Sequence, residues 1–228
     1  MMDLRTFLNE LDEAGELLHL TDTVSPTFEV AARIAQRDGN ALLFESLEGY
    51  PDWRLASGYV AQRSHFARAL SCDVPALIPS LADALANPQP APEIESAPCQ
   101  EVVEREVDLQ QIPIPRYHPE DGGPYITAGV SVITDPEYGR NLSFHRLMRI
   151  GRDRLVGRIV EGRGTHTAWQ KAPDGLPMAI CIGLPPQILL AAAMSPEKGT
   201  DEMGIAQAMA PTPTVKALTL PFRIPAAS

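Results

Sequence analysis

Apolar positions change their period along the chain, and the changes predict its elements. Leu4, Phe7, Leu8 and Leu11 recur at helical spacing behind Asp3, a capping residue, and predict a surface helix over 3–14 that Gly15 stops. Residues 16–20 alternate like a strand. Pro26 opens a second helix over 28–36, at a position where its missing N–H costs nothing. Apolar runs at 41–44 and 55–60 read as strands, and 64–69 and 77–86 as helices, with His65 read as a surface residue. Residues 87–100, NPQPAPEIESAPCQ, carry no period and read as a linker.

Beyond residue 100 the period is mostly two. Strands are expected at 101–107, 126–134, 142–149, 155–161, 178–183 and 215–220, and helices at 187–193 and 203–209. Ile112-Pro-Ile-Pro115 cannot be a central strand, because each proline lacks a donor. The pattern predicts an α+β chain: a small N-terminal α/β module with its linker over 1–100, then a strand-rich domain over 101–228 curled into a barrel-like sheet.

The densest polar cluster follows the turn Asp135-Pro-Glu-Tyr-Gly139, where proline fixes φ and glycine permits a positive one. In an extended segment Asn141, Ser143 and His145 share one face while Leu142 and Phe144 take the other, toward a core. Arg146 ends the run. As a core-adjacent guanidinium it needs an anionic partner, for which a phosphate or a substrate carboxylate would serve. Arg158 and Arg163-Gly164 could hold a second anionic edge, or belong to a solvated basic patch. Asn141, His166 and Glu202 form an oxygen and nitrogen set suited to Mn²⁺ or Mg²⁺; equally, His166 could make a hydrogen bond and Glu202 a helix cap. Thr200-Asp-Glu202 before an apolar run signals a helix start, whose positive end favours an ionised Glu202. His118 beside Asp121 reads as a loop hydrogen bond.

A formal charge of −10 disfavours nonspecific nucleic-acid binding, although seven arginines fall between Arg140 and Arg163. Three cysteines without metal-ligand spacing read as free thiols in a reducing compartment. No apolar run approaches the roughly 20 residues of a membrane span, and the N-terminus has no signal-peptide pattern, so a cytoplasmic protein is expected. No glycine-rich nucleotide loop and no Cys-x-x-Cys is present.

The stretches TAGVSVITDPEYGRNLSFHRLMRI, GRIVEGRGTH and AMSPEKGTDEMGIAQAM resemble the UbiD family of reversible decarboxylases, and LRTFLNELDEAGELLHL extends the likeness to the N-terminus. The resemblance implies a split β-barrel, flavin-reductase-like domain that binds prenylated FMN, made by a partner flavin prenyltransferase. It implies Asn141, His166 and Glu202 as ligands of a Mn²⁺ that clamps the cofactor phosphate, Ser143 as a phosphate contact, and Met194 at a K⁺-holding loop. Phe144, His145, Arg146, Arg158, Ile159, Val160, Arg163 and Gly164 match the cofactor-contacting stretches, and Arg146 the active-site arginine that touches the substrate carboxylate. The expected reaction is decarboxylation of a small aromatic or α,β-unsaturated acid. The family's catalytic acids lie in a segment that would begin near Ser228. The acid is therefore expected from a second polypeptide carrying the C-terminal half or from a missing segment, with self-oligomers in a full-length form. The alternative is a non-catalytic cofactor-binding or assembly protein.

Overall fold

The computed structural model describes residues 2–227; Met1 and Ser228, where the resemblance places the start of an acidic segment, lie outside the described residues. Helix α1 (Leu4–Glu13) is capped as expected. The Asp3 carboxylate accepts the Thr6 N–H at 2.8 Å, and Phe7, Leu8 and Leu11 are buried. Strand β1 (Leu17–Val24) runs through α2 (Glu29–Ala35) to β2 (Ala41–Leu47), which pairs parallel with it, and β3 (Leu55–Ser57) adds antiparallel to β2. The run Ala41-Leu-Leu-Phe44 is continuously apolar because β2 is covered on both faces. Ala41 and Leu43 pack with α1, whereas Leu42 and Phe44 pack with Val24, Val30 and Leu47. Helices α3 (Arg63–Ala69) and α4 (Leu77–Ala86) complete this part.

His65 is not a surface residue. It is 2% exposed on the inner side of α3, which packs against a later helix, with Nε2 3.9 Å from the Glu16 carboxylate. Burial lowers its pKa.

The aperiodic stretch 87–100 contains β4 (Glu93–Ile94), and the expected strand at 101–107 does not form: Val102, Val103 and Val107 are exposed and no strand pairs with them. The later elements are β5 (Tyr125–Ile126), β6 (Val130–Asp135), β7 (Gly139–Phe144), β8 (Leu147–Arg149), β9 (Leu155–Gly157), α5 (Gly164–Gln170), β10 (Met178–Cys181), α6 (Pro186–Ala193), α7 (Glu202–Met209), β11 (Thr214–Lys216) and β12 (Arg223–Pro225). The strands group into open three-stranded sheets, in the orders β1-β2-β3, β10-β6-β7, β12-β11-β4 and β5-β8-β9. The α+β class is as expected, and among the described residues no sheet closes into a barrel. One of these sheets ties the expected linker to the late chain, since β4 pairs parallel with β11. The strand expected at 215–220 ends at Lys216, and β11 pairs antiparallel with β12 beyond the run.

Three departures shape the site. The strand expected over 142–149 breaks at His145–Arg146, and its halves join different sheets. The strand expected over 155–161 stops at Gly157, freeing 158–163 as a loop. That loop feeds α5, a short helix hidden in the glycine-bearing sequence Gly-Thr-His-Thr-Ala-Trp-Gln. Beneath them lies the largest core cluster, in which Val130, Val132 and Leu142 of β6 and β7 meet Ile188 and Ala191 of α6 and Met203 and Ile205 of α7. Among the described residues, no single helix is long and apolar enough to cross a membrane.

Candidate functional site

Strand β7 is fixed by its turn. Gly139 adopts φ +83°, and the Asp135 carboxylate accepts the N–H groups of Glu137 and Tyr138 at 2.8 and 3.2 Å. Lys171 of the segment after α5 pairs with Asp135 at 3.1 Å and with Glu137 at 2.7 Å. The register then sets Asn141 opposite Ile133 and Ser143 opposite Ser131. Leu142 enters the core at 2% exposure, but Phe144 does not follow it. At 37% exposure Phe144 lines a cleft, because the chain leaves the strand at the next residue.

The cleft encloses about 750 Å³ between β7, the 158–164 loop and the stretch from Ala192 to Glu202. It brings together twelve of the thirteen residues singled out from sequence: Asn141, Ser143, Phe144, His145, Arg146, Arg158, Ile159, Val160, Arg163, Gly164, Met194 and Glu202. His166 is the exception. It sits in α5 but does not line the cleft; its Nδ1 accepts the Gly162 N–H at 3.3 Å and its ring meets Trp169 edge-on. The expectation of a core-adjacent Arg146 also fails: Arg146 is exposed. Among the described residues, Arg146, Arg158 and Arg163 make no ion pair or side-chain hydrogen bond, so three guanidiniums line one cleft without a paired carboxylate.

At the floor, α7 presents Glu202. Its carboxyl takes the Asn141 Nδ2–H at 2.8 Å and the Leu142 N–H at 3.0 Å, and is 3% exposed. The expectation that the helix start keeps it ionised does not hold. Burial outweighs the hydrogen bonds and pushes its pKa up to about 7. The Asn141 Oδ1 is buried with no partner, and a Cβ added at Gly164 would sit 3.2 Å from it. A buried carboxyl that gives up its proton reluctantly, beside an orphaned amide oxygen, makes a pair that a hard divalent cation would complete. The third expected ligand, His166, is on α5 and does not line the cleft, and no group of three His, Cys, Asp or Glu side chains converges among the described residues, a set that leaves out the Asn141 amide.

Sequence reasoning missed two supports. Thr165, 4% exposed on α5, closes a triangle with Ser143 and His145: Oγ1 lies 2.9 Å from His145 Nε2 and 3.2 Å from Ser143 Oγ, and Ser143 Oγ lies 3.1 Å from Nε2. Burial lowers the His145 pKa, which keeps the ring neutral. Arg140 on β7 grips Asp201 through two guanidinium nitrogens, Nη2 on Oδ2 and Nε at 2.9 Å from Oδ1. Asp201 also caps α7 by accepting the Met203 N–H at 3.0 Å. The Thr-Asp-Glu pattern showed the cap, but nothing local in sequence shows a partner sixty-one residues away. Asp201→Ala removes cap and pair together and should cost about 2 kcal/mol, most of it from the cap because the pair is partly exposed. Urea unfolding would read the loss.

Fold and cleft define an α+β protein with a cation-rich cleft whose floor pairs an orphaned amide with a buried carboxyl. The particular family follows from comparison with known proteins. Residues 92–228 match the Rift-related domain of 3-octaprenyl-4-hydroxybenzoate carboxy-lyase, and residues 8–85 match the N-terminal domain of the same enzyme. The chain belongs to the UbiD family. It is 37% identical over 207 residues to the anhydromevalonate phosphate decarboxylase of Methanothermobacter thermautotrophicus, covering 89% of this chain and 48% of that protein. An evolved dimeric form of the UbiD-class enzyme HmfF from Pelotomaculum thermopropionicum, in complex with prFMN, superposes with a TM-score of 0.95 at 36% identity, covering 100% of this chain and 55% of that one. The closed form of the vanillic acid decarboxylase ShVdcCD from Sedimentibacter hydroxybenzoicus gives 0.91 at 25% identity, over 99% and 53%. The chain therefore spans about half the length of the relatives it matches.

Proposed function

We propose that this chain is the cofactor-holding part of a non-oxidative decarboxylase that acts on an aromatic or α,β-unsaturated carboxylic acid with prenylated FMN. The observation that carries the proposal is the convergence of the Asn141 Oδ1 and the Glu202 carboxyl at the floor of a cleft with three unpaired arginines. Those arginines would hold a flavin phosphate, and Asn141 and Glu202 are the residues that would hold a Mn²⁺ ion. The HmfF relative, described with prFMN, and the named decarboxylases support the cofactor and the reaction class. In this reading Ser143 and His145 would hold the cofactor phosphate, Arg158, Ile159, Val160, Arg163 and Gly164 would border the flavin, and the backbone near Met194 would hold a K⁺ ion.

The bound prenylated flavin supplies the electron sink for carbon–carbon cleavage. This chain's residues orient the acid: Arg146 offers its planar fork to the substrate carboxylate. Proton return needs an acid. Of the acids lining the cleft, Asp135 is held by Lys171, Glu202 is bound to Asn141 and Leu142, and Glu197 is solvent-exposed. As the family resemblance implies, the proton donor in this reading comes from outside residues 2–227, in a longer chain or on a second polypeptide, and a flavin prenyltransferase supplies the cofactor.

Co-expression with a flavin prenyltransferase and the polypeptide carrying the second half tests the proposal by native mass spectrometry and CO₂ release. A flavin-bearing complex that decarboxylates an unsaturated or aromatic acid is the expected result. Flavin uptake without turnover in the complete complex would make the chain a cofactor-binding or assembly protein instead.

A further inference from the structure

Away from the cleft, a second cavity of about 490 Å³ lies where the N-terminal module meets the β5-β8-β9 sheet. Its polar wall holds Arg116 and Arg149, and its apolar wall includes Pro26, Ile114 and Pro124. Neither arginine has a carboxylate partner. Arg116 donates through Nη2 to the backbone carbonyls of Pro119 and Asp121 at 2.9 and 2.7 Å, and Arg149 donates through Nη1 to that of Leu109 at 2.8 Å. The Arg116 Nε is buried and has no partner at all.

Arg116 is also held firmly. Its backbone N–H donates to the Pro26 carbonyl at 3.1 Å, its own carbonyl accepts the Phe28 N–H at 2.8 Å, and the Phe28 ring lies 5.3 Å below its guanidinium. Phe28 keeps this place at φ +69°, a left-handed conformation that costs a non-glycine residue of order 1–3 kcal/mol. A strained residue thus orients a cation whose buried donor points at no acceptor. Two cations with neutral backbone partners leave their positive charge uncompensated, which an anion would relieve. Glu48, exposed, lines the same cavity, so a ligand with several negative charges would be repelled.

We infer that this cavity binds a small organic anion with a single anionic head, a carboxylate or a phosphate ester, gripped by Arg116 and Arg149 while its apolar body lies on Ile114, Pro26 and Pro124. The site is separate from the cleft and its occupancy does not require the decarboxylase reading. Arg149 ends β8, the strand that begins one residue after Arg146, so a three-residue strand connects the two sites.

The test is a ¹⁵N-labelled titration of the 228-residue chain with benzoate and, separately, with phenyl phosphate, read at the amides of Thr27, Tyr50 and Ile114 and at those of Ser143 and Gly164. Saturable shifts at the first group are expected. Arg149→Gln should weaken that affinity about tenfold, as befits a lost charge-assisted bond, and Glu48→Gln should strengthen it about threefold by removing a like charge. Arg146→Gln should leave it unchanged. Which probe saturates at lower concentration identifies the head group. Shifts confined to Ser143 and Gly164, or no saturation with either probe by roughly 20 mM, would overturn the proposal. So would an affinity indifferent to Glu48→Gln, a surface change that keeps the protein folded should Arg149→Gln fail to fold.

Discussion

Glu202→Gln should make the cofactor-free chain more stable at pH 8, by about 3 kcal/mol, while removing its capacity to retain a divalent cation. The carboxyl titrates at 4.5 when exposed and at about 7 when folded. Below pH 4.5 it is protonated in both states and adds no penalty. As pH rises toward 7 the unfolded chain ionises freely while the folded one resists, so folding stability falls; above 7 the full cost of a buried charge is borne. Glutamine carries no charge and avoids that cost. Its oxygen can still accept the Leu142 N–H, and once the Asn141 amide turns over, the glutamine NH2 can donate to the Asn141 oxygen that now lacks a partner. Urea melts of the two proteins should therefore diverge as pH rises from 5 to 8. A bound cation reverses the ranking, because it pairs with the ionised carboxylate and releases the proton. With Mn²⁺ added at pH 7 the unsubstituted chain should gain stability and Glu202→Gln should not. Melts that stay parallel across the whole pH range would mean that Glu202 does not titrate as a buried acid.

The β7 wall of the cleft was legible in the sequence because it is built locally, whereas Ile159, Val160 and Met194 were named only through the family resemblance. The turn at 135–139 and the period-two run after it place Asn141, Leu142 and Ser143 by strand geometry alone, and the Thr-Asp-Glu pattern marks the start of α7. Non-local choices were not legible. Period two continues through His145 and Arg146, yet the chain changes sheets there, since Leu147 and Met148 pair with β5 and β9 instead. Tertiary pairing overrode local pattern, and that break turns Phe144 and Arg146 toward the cleft. His166, which the family resemblance implies as a ligand, is the one singled-out residue that does not line the cleft; on α5 the buried positions are Thr165 and Ala168. His65 was misplaced for the converse reason: α3 carries Arg63, Ser64 and Arg68, so it reads as a surface helix, but its inner side packs on α6. Glu202 shows two local rules in conflict, where the helix start favours the charge and burial disfavours it, and burial wins.

Arg146→Lys should lower turnover of the completed enzyme by roughly 10- to 100-fold and leave flavin content nearly unchanged. Arg146 is exposed, makes no ion pair or side-chain hydrogen bond among the described residues, and sits in the joint where β7 gives way to β8. Its replacement therefore cannot act by unfolding the protein, and the melting temperature should barely move. Lysine keeps the charge, so long-range attraction of anions into the cleft persists. What it loses is the planar pair of parallel donors that fixes a carboxylate in one orientation, and the shorter reach of a single ammonium group cannot restore that geometry. The effect should fall on kcat more than on KM if orientation at the reacting carbon is the contribution, since the charge that draws substrate in is retained. Added guanidinium should recover part of the activity lost in Arg146→Ala. Equal turnover after the lysine substitution would remove Arg146 from the chemistry. A parallel loss of flavin and activity would reassign it to cofactor anchoring, and the substrate carboxylate would then have to be met by Arg158 or Arg163, the other unpaired guanidiniums of the cleft.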